Sequence, residues 1–115
     1  MEKILLIDEK PVKFKSTGAL LYRYKAQFRR DAMKDIFKLA ECFDEESGEI
    51  TDIEALDLET FYNLVWTLAK TADPTIPPPM EWLDTFSEFP LMEILPEVVE
   101  MITGCMTSNA ELKKK

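Results

Sequence analysis

The acidic run from Asp44 to Glu54 is the stretch whose residue types and spacing come nearest to a ligand set. Aligned on Gly48, it puts Ile50 where a helix–loop–helix calcium site needs its apolar residue and Glu54 where that site needs its bidentate carboxylate. The alignment fails at its start. Phe43 falls on the first ligand position with no oxygen to offer, and Glu45 falls on the third, where a shorter Asp or Asn suits the tight loop. An exposed acidic connector is the expectation, and Thr51 to Glu54 fits a capping box, which accounts for Glu54 without a metal.

Other chemistry has little material. The chain has no histidine, so acid–base work would fall to a carboxylate or lysine of tuned acidity, and no acidic pair sits among glycine turns that would frame a cleft. Gly18, Gly48 and Gly104 are isolated, which excludes a phosphate-cradling loop. Cys42 and Cys105 lie far apart without Cys-x-x-Cys spacing and read as buried or idle thiols. No catalytic residue, metal or cofactor is expected. Binding is the remaining class: Trp66, Trp82, Tyr22, Tyr24, Tyr62 and six methionines supply adaptable apolar surface, with core packing as the competing use.

Charge is unevenly distributed. Residues 1–40 hold ten Lys or Arg against five Asp or Glu, whereas residues 41–112 hold one lysine against seventeen acids; the net charge is −8. The basic third can lie against acidic neighbours in the same fold or dock a second subunit head to tail. Nucleic-acid binding is not expected of a chain this acidic. No apolar run is long enough to span a membrane, and the first residues hold too few apolar positions for a secretory signal, so a cytoplasmic location is expected.

The elements that must position these residues follow from periodicity. Lys3 to Ile7 and Pro11 to Lys15, separated by three charged residues, predict a β-hairpin, and a two-stranded ribbon must cover a helix or pair with another chain. A long helix is expected from Thr17 or Gly18 to about Ala40, capped by Ser16 or Thr17. Its stripe of Leu21, Tyr24, Phe28, Ala32, Ile36 and Leu39 is widened by Tyr22, Met33 and Phe37, which implies contact with two elements. Asp57 caps a second helix that ends at Asp73-Pro74. The prolines at 74 and 77–79 form a stiff elbow, Pro79 opens a short helix bearing Trp82, and a final helix is expected from about Pro96 to Thr103, stopped by Gly104. The fold class is mainly α (α+β): a small N-terminal β-hairpin followed by a bundle of about four helices, one domain over 1–106 and a loose basic tail over 107–115. Phe28, Ile36, Phe61, Val65 and Leu68 are the expected core.

Tyr22-Arg23-Tyr24, the block Phe28 to Asp31, Trp66 with Leu68-Ala69-Lys70, Asp73-Pro74 with Ile76-Pro77, and Glu81-Trp82-Leu83 together resemble the tail assembly chaperones of siphophages and prophages of Gram-positive bacteria. The likeness runs from about Phe14 to Met101. It implies a non-enzymatic helical protein of the bacterial host cytoplasm that binds the tape measure protein during tail morphogenesis and is absent from the mature virion. It also implies a longer sister product made by ribosomal frameshifting, for which the codons of Lys113 to Lys115 are the candidate slippery site. The tail tube protein and a second copy of the chain are further expected partners. Tyr22, Arg23, Arg29, Trp66 and Trp82 are the candidate binding residues. The alternative is a small structural tail-completion or neck protein of the virion.

Overall fold

A computed structural model of the chain describes residues 1–44, 47 and 49–106. Its N-terminal hairpin turns on Asp8 and Glu9, both with left-handed backbone angles (φ 55° and 63°). A two-residue loop of that hand matches the right-handed twist of the strands it joins, so Asp-Glu does here what Asn-Gly more often does. Strands β1 (Glu2–Ile7) and β2 (Lys10–Lys15) pair antiparallel with Ile7 opposite Lys10 and Glu2 opposite Lys15. Alternation then divides the ribbon. Ile7 and Phe14 are buried and Leu5 and Val12 half-buried on the inner face, while Ile4 and Leu6 stand exposed on the outer one.

The inner face lies on α3 (Leu58–Ala72), the central helix of the molecule. Asp57 starts it by accepting from the backbone N–H groups of Glu59 and Thr60 at 3.0 and 3.4 Å, satisfying donors that a helix leaves open at its first turn. Thr60, Phe61 and Asn63 to Ala69 are all buried, because β2, α1 and α2 and the C-terminal helices cover α3 on several sides. Phe61, Val65, Leu68 and Ile36 therefore occupy the core as expected; Phe28 is only half-buried.

The long first helix is two helices. α1 spans Leu20–Phe28 and α2 Ala32–Ala40, which brings the helices among the described residues to five. Arg29 adopts left-handed angles (φ 58°, ψ 31°) and its N–H bonds the carbonyl of Lys25, a C-terminal cap made by arginine where glycine is usual. Asp31 then caps α2 by accepting from Lys34 N–H at 3.3 Å. Ala19, not Ser16 or Thr17, precedes the first turn of α1, while Thr17 organises the approach by accepting from Ala19 N–H.

Two further expectations are corrected. No helix begins at Thr51: Asp52 accepts from Ala55 N–H in a local turn, and Phe43 and Ile50 are joined in a β-bridge across the acidic connector. The last helix, α5 (Leu91–Met106), runs through both Pro96 and Gly104. Ile94, Leu95, Val98, Met101 and Ile102 form one continuous buried stripe along it, which outweighs the roughly 3 kcal/mol that an interior proline costs. Pro96 lies on the exposed side, where the Met92 carbonyl that loses its helical donor can meet water. The short α4 (Pro79–Asp84) has its proline in the first turn, as expected. The tail at 107–115, with Lys113 to Lys115, and the calcium-loop positions Glu45 and Gly48 lie outside the described residues.

Candidate protein-binding face

The break between α1 and α2 decides which side chains face solvent. With Arg29 in the left-handed region, the chain turns so that Arg30 reaches inward to three carboxylates: Asp35 at 2.7 Å, Glu59 at 3.2 Å and Asp57 at 3.6 Å. Tyr24 donates its hydroxyl to the same Asp35 at 2.7 Å. Burial alone would push the Asp35 carboxyl up, but the hydrogen bonds from Arg30 and Tyr24 prevail and hold its pKa below the ordinary carboxylate value. Burial, followed by the bond to Asp35, raises the Tyr24 phenol in turn. This network, buried at Tyr24 and Asp35 and open to solvent at Asp57 and Glu59, ties α1, α2 and the start of α3 together under the outer surface of α1 and α2.

That outer surface is apolar and basic. Tyr22 is 80% exposed and shares a shallow groove with Leu21, Lys25 and Ala26. Leu21 also borders the next hollow along, with Thr17, Gly18, Leu20, Met33 and Cys105. Phe37, 56% exposed, stands one turn beyond Met33 on α2. Beside this strip, Arg23, Lys25, Arg29, Lys34 and Lys38 are exposed, and none of them is ion-paired with a described residue. Lys34 and Lys38 follow Met33 and Phe37 in sequence, so a basic column runs along an apolar one.

The five sequence candidates divide accordingly. Tyr22, Arg23 and Arg29 lie exposed on α1 and its cap. Trp66 and Trp82 are each only 5% exposed, although Trp66 lines a hollow with Arg23, Ala26 and Lys70. Trp66 donates its indole N–H to the Pro77 carbonyl at 2.9 Å and meets Phe28 edge-on at 5.8 Å. Lys70 caps the same elbow, donating to the carbonyls of Pro74 and Ile76. Trp82 packs edge-on against Phe86 at 5.2 Å and Phe89 at 6.0 Å. Trp66 is a clamp of the proline elbow, whereas Trp82 anchors the aromatic cluster that follows it. An elbow without N–H groups at four positions needs such side-chain partners to be held in place.

Met33 and Phe37 are the docking candidates that sequence reasoning passed over. The signal was the stripe's excess width: the core uses Leu20, Tyr24, Ala32, Ile36 and Leu39, and the residues that widened it were left facing water. Among the described residues, no group of three His, Cys, Asp or Glu side chains is arranged to hold a metal, and no helix is long and apolar enough to cross a membrane. Set against family models, characterised proteins and solved structures, the chain matches none.

Proposed function

We propose that this chain is a non-enzymatic tail assembly chaperone that binds the tape measure protein in the host cytoplasm and departs before the virion is complete. The observation that carries the reading is the strip Leu21, Tyr22, Met33 and Phe37 flanked by basic residues without ion-pair partners among the described residues. Such a face suits an amphipathic helix whose apolar side carries acidic neighbours: the apolar contacts supply affinity, and the charges supply orientation and rate of encounter. The resemblance in residues 14–101 implies the tape measure protein as the partner. Neither a catalytic constellation nor a cofactor enters the reading.

Co-expression with the tape measure protein tests it. The wild-type chain should be recovered in complex, and the double substitution Arg23→Glu with Arg29→Glu should reduce recovery by at least about tenfold while the circular dichroism spectrum stays the same. Undiminished recovery by the double variant would remove this face from the proposal. Mass spectrometry of purified particles separates the chaperone from a virion component, since a chaperone should be missing from them.

A further inference from the structure

The hairpin has one closed edge and one open edge. Ile7 and Lys10 flank a two-residue loop and so exchange both of their backbone hydrogen bonds, and the same parity holds for Leu5 with Val12 and Lys3 with Phe14. Met1 and Ser16 continue it, bonded in both directions at 3.1 and 2.9 Å. Glu2, Ile4 and Leu6 therefore turn their N–H and C=O groups away from β2, and no other described element reaches those groups. The side chains of Ile4 and Leu6 are 64% and 74% exposed. A bare edge of this kind, with neither proline nor bulge, is a template for a further strand.

The other edge differs. Pro11 falls at an outward-facing position of β2 and has no N–H to offer, and Pro11 to Lys13 border a cavity shared with Ala72, Asp73 and Ile76 of the elbow region. Addition at β1 therefore ends after one step, which favours a closed pair over a growing fibre.

We infer that β1 pairs with β1 of a second copy, antiparallel about a two-fold axis at Ile4, giving a four-stranded sheet in the order β2-β1-β1-β2. Charge selects the register. With Ile4 at the axis, Glu2 faces Leu6, and Lys3, which is paired with Glu97 and Glu100 of its own α5, faces Leu5 of the second copy, so no like charges stand directly opposite within the paired strands. Sliding to the next allowed pairing one way sets Lys3 against Lys3; sliding the other way sets Glu2 against Asp8. The strip on α1 and α2 takes no part, so this pairing stands or falls separately from the proposed function. An interface of a few residue pairs lies at the small end of specific interfaces, so the pair dissociates on dilution.

Sedimentation velocity of the full chain, over a dilution series spanning about three decades around micromolar concentration, reads the pairing directly. The mass should fall from twice 13.3 kDa to 13.3 kDa across the series. Ile4→Lys, which places two lysines at the axis, should shift the midpoint by at least about tenfold without changing the circular dichroism spectrum. Ile4→Cys should form a covalent dimer under mild oxidation, because facing residues of a hydrogen-bonded pair lie about 5.5 Å apart, within disulfide reach. Lys13→Cys, on the far strand, should crosslink no more than the wild type with its native Cys42 and Cys105. A monomer at every concentration, a dimer indifferent to Ile4→Lys, or equal crosslinking from positions 4 and 13 would each overturn the inference.

Discussion

Around the elbow, the rings of Trp66, Trp82, Phe86 and Phe89 meet one another, Phe28 or a backbone carbonyl; along α1 and α2, Tyr22 and Phe37 meet solvent. In the sequence the two regions look alike, since both mix large aromatics with charge at helical spacing. Their difference lies in what surrounds them. The elbow's prolines create a need for internal partners and Trp66 and Lys70 meet it, whereas none of the five basic residues fringing α1 and α2 is ion-paired with a described residue, and their apolar neighbours stay open. Aromatic content alone does not mark a docking face; aromatic content without an internal claimant does.

The sharpest break of this contrast is Trp82→Ala. Removing a buried indole from the aromatic cluster should cost about 3–5 kcal/mol in urea unfolding. A loss below about 1 kcal/mol, the range of a surface change, would mean that the aromatic cluster does not depend on Trp82.

Asp35→Asn comes next, at about 1–3 kcal/mol, because it leaves Tyr24 and Arg30 facing a neutral group, although Arg30 remains partly exposed and can recruit water. It should also change the response to acid. The Asp35 pKa is depressed in the folded chain, so its contribution is present above the unfolded carboxylate pKa and disappears as pH falls through the lower folded value. The wild type should lose stability over that acidic interval more steeply than Asp35→Asn; parallel curves would show that Asp35 is not the titrating group.

Arg29→Gly should have a smaller effect of opposite sign, stabilising by about 0.5–1 kcal/mol, since glycine relieves the left-handed strain and returns part of the gain as chain entropy. A melting temperature that drops instead would show the Arg29 side chain to be holding the α1–α2 junction. Tyr22→Ser and Phe37→Ser should move stability by no more than about 0.5 kcal/mol, in contrast to Trp82→Ala, while lowering recovery of the partner proposed above. Strong destabilisation by either would place that residue in the core and dissolve the comparison.

What was legible in the sequence was local. The strands at Lys3 to Ile7 and Pro11 to Lys15, the Asp57 cap, Pro79 at a helix start and the end of α3 before Asp73-Pro74 each depend on neighbours a few residues away, and each stands where expected. The break at Arg29 was hidden because no glycine marks it and because Arg30 gains carboxylates from α2 and α3, which no window on the first helix includes. Asp31 fell inside the long helix expected over 17–40, where a cap has no place, so its capping role was hidden too. Pro96 misled in the opposite direction: its local penalty was plain, and the buried stripe that overrides it is a property of the whole assembly. At the candidate face, residue types were legible and exposure was not, so Tyr22, Arg23 and Arg29 stood beside Trp66 and Trp82 as though equivalent.

The burial of both indoles gives the molecule an optical bias. Trp66 and Trp82 are its only strong near-ultraviolet fluorophores, and each is shielded from water, one against Pro77 and Phe28, the other among Phe86 and Phe89. Their emission should lie to the blue of free tryptophan, and iodide in solution should quench it weakly. Intrinsic fluorescence is thus a sensitive monitor of the elbow and, through Trp66, of the hollow beside Arg23, but Phe37 lies outside the ring contacts of either indole, so a ligand seated over α2 can leave the spectrum little changed. A dye attached beside α2 would watch the half of the molecule that its own tryptophans do not.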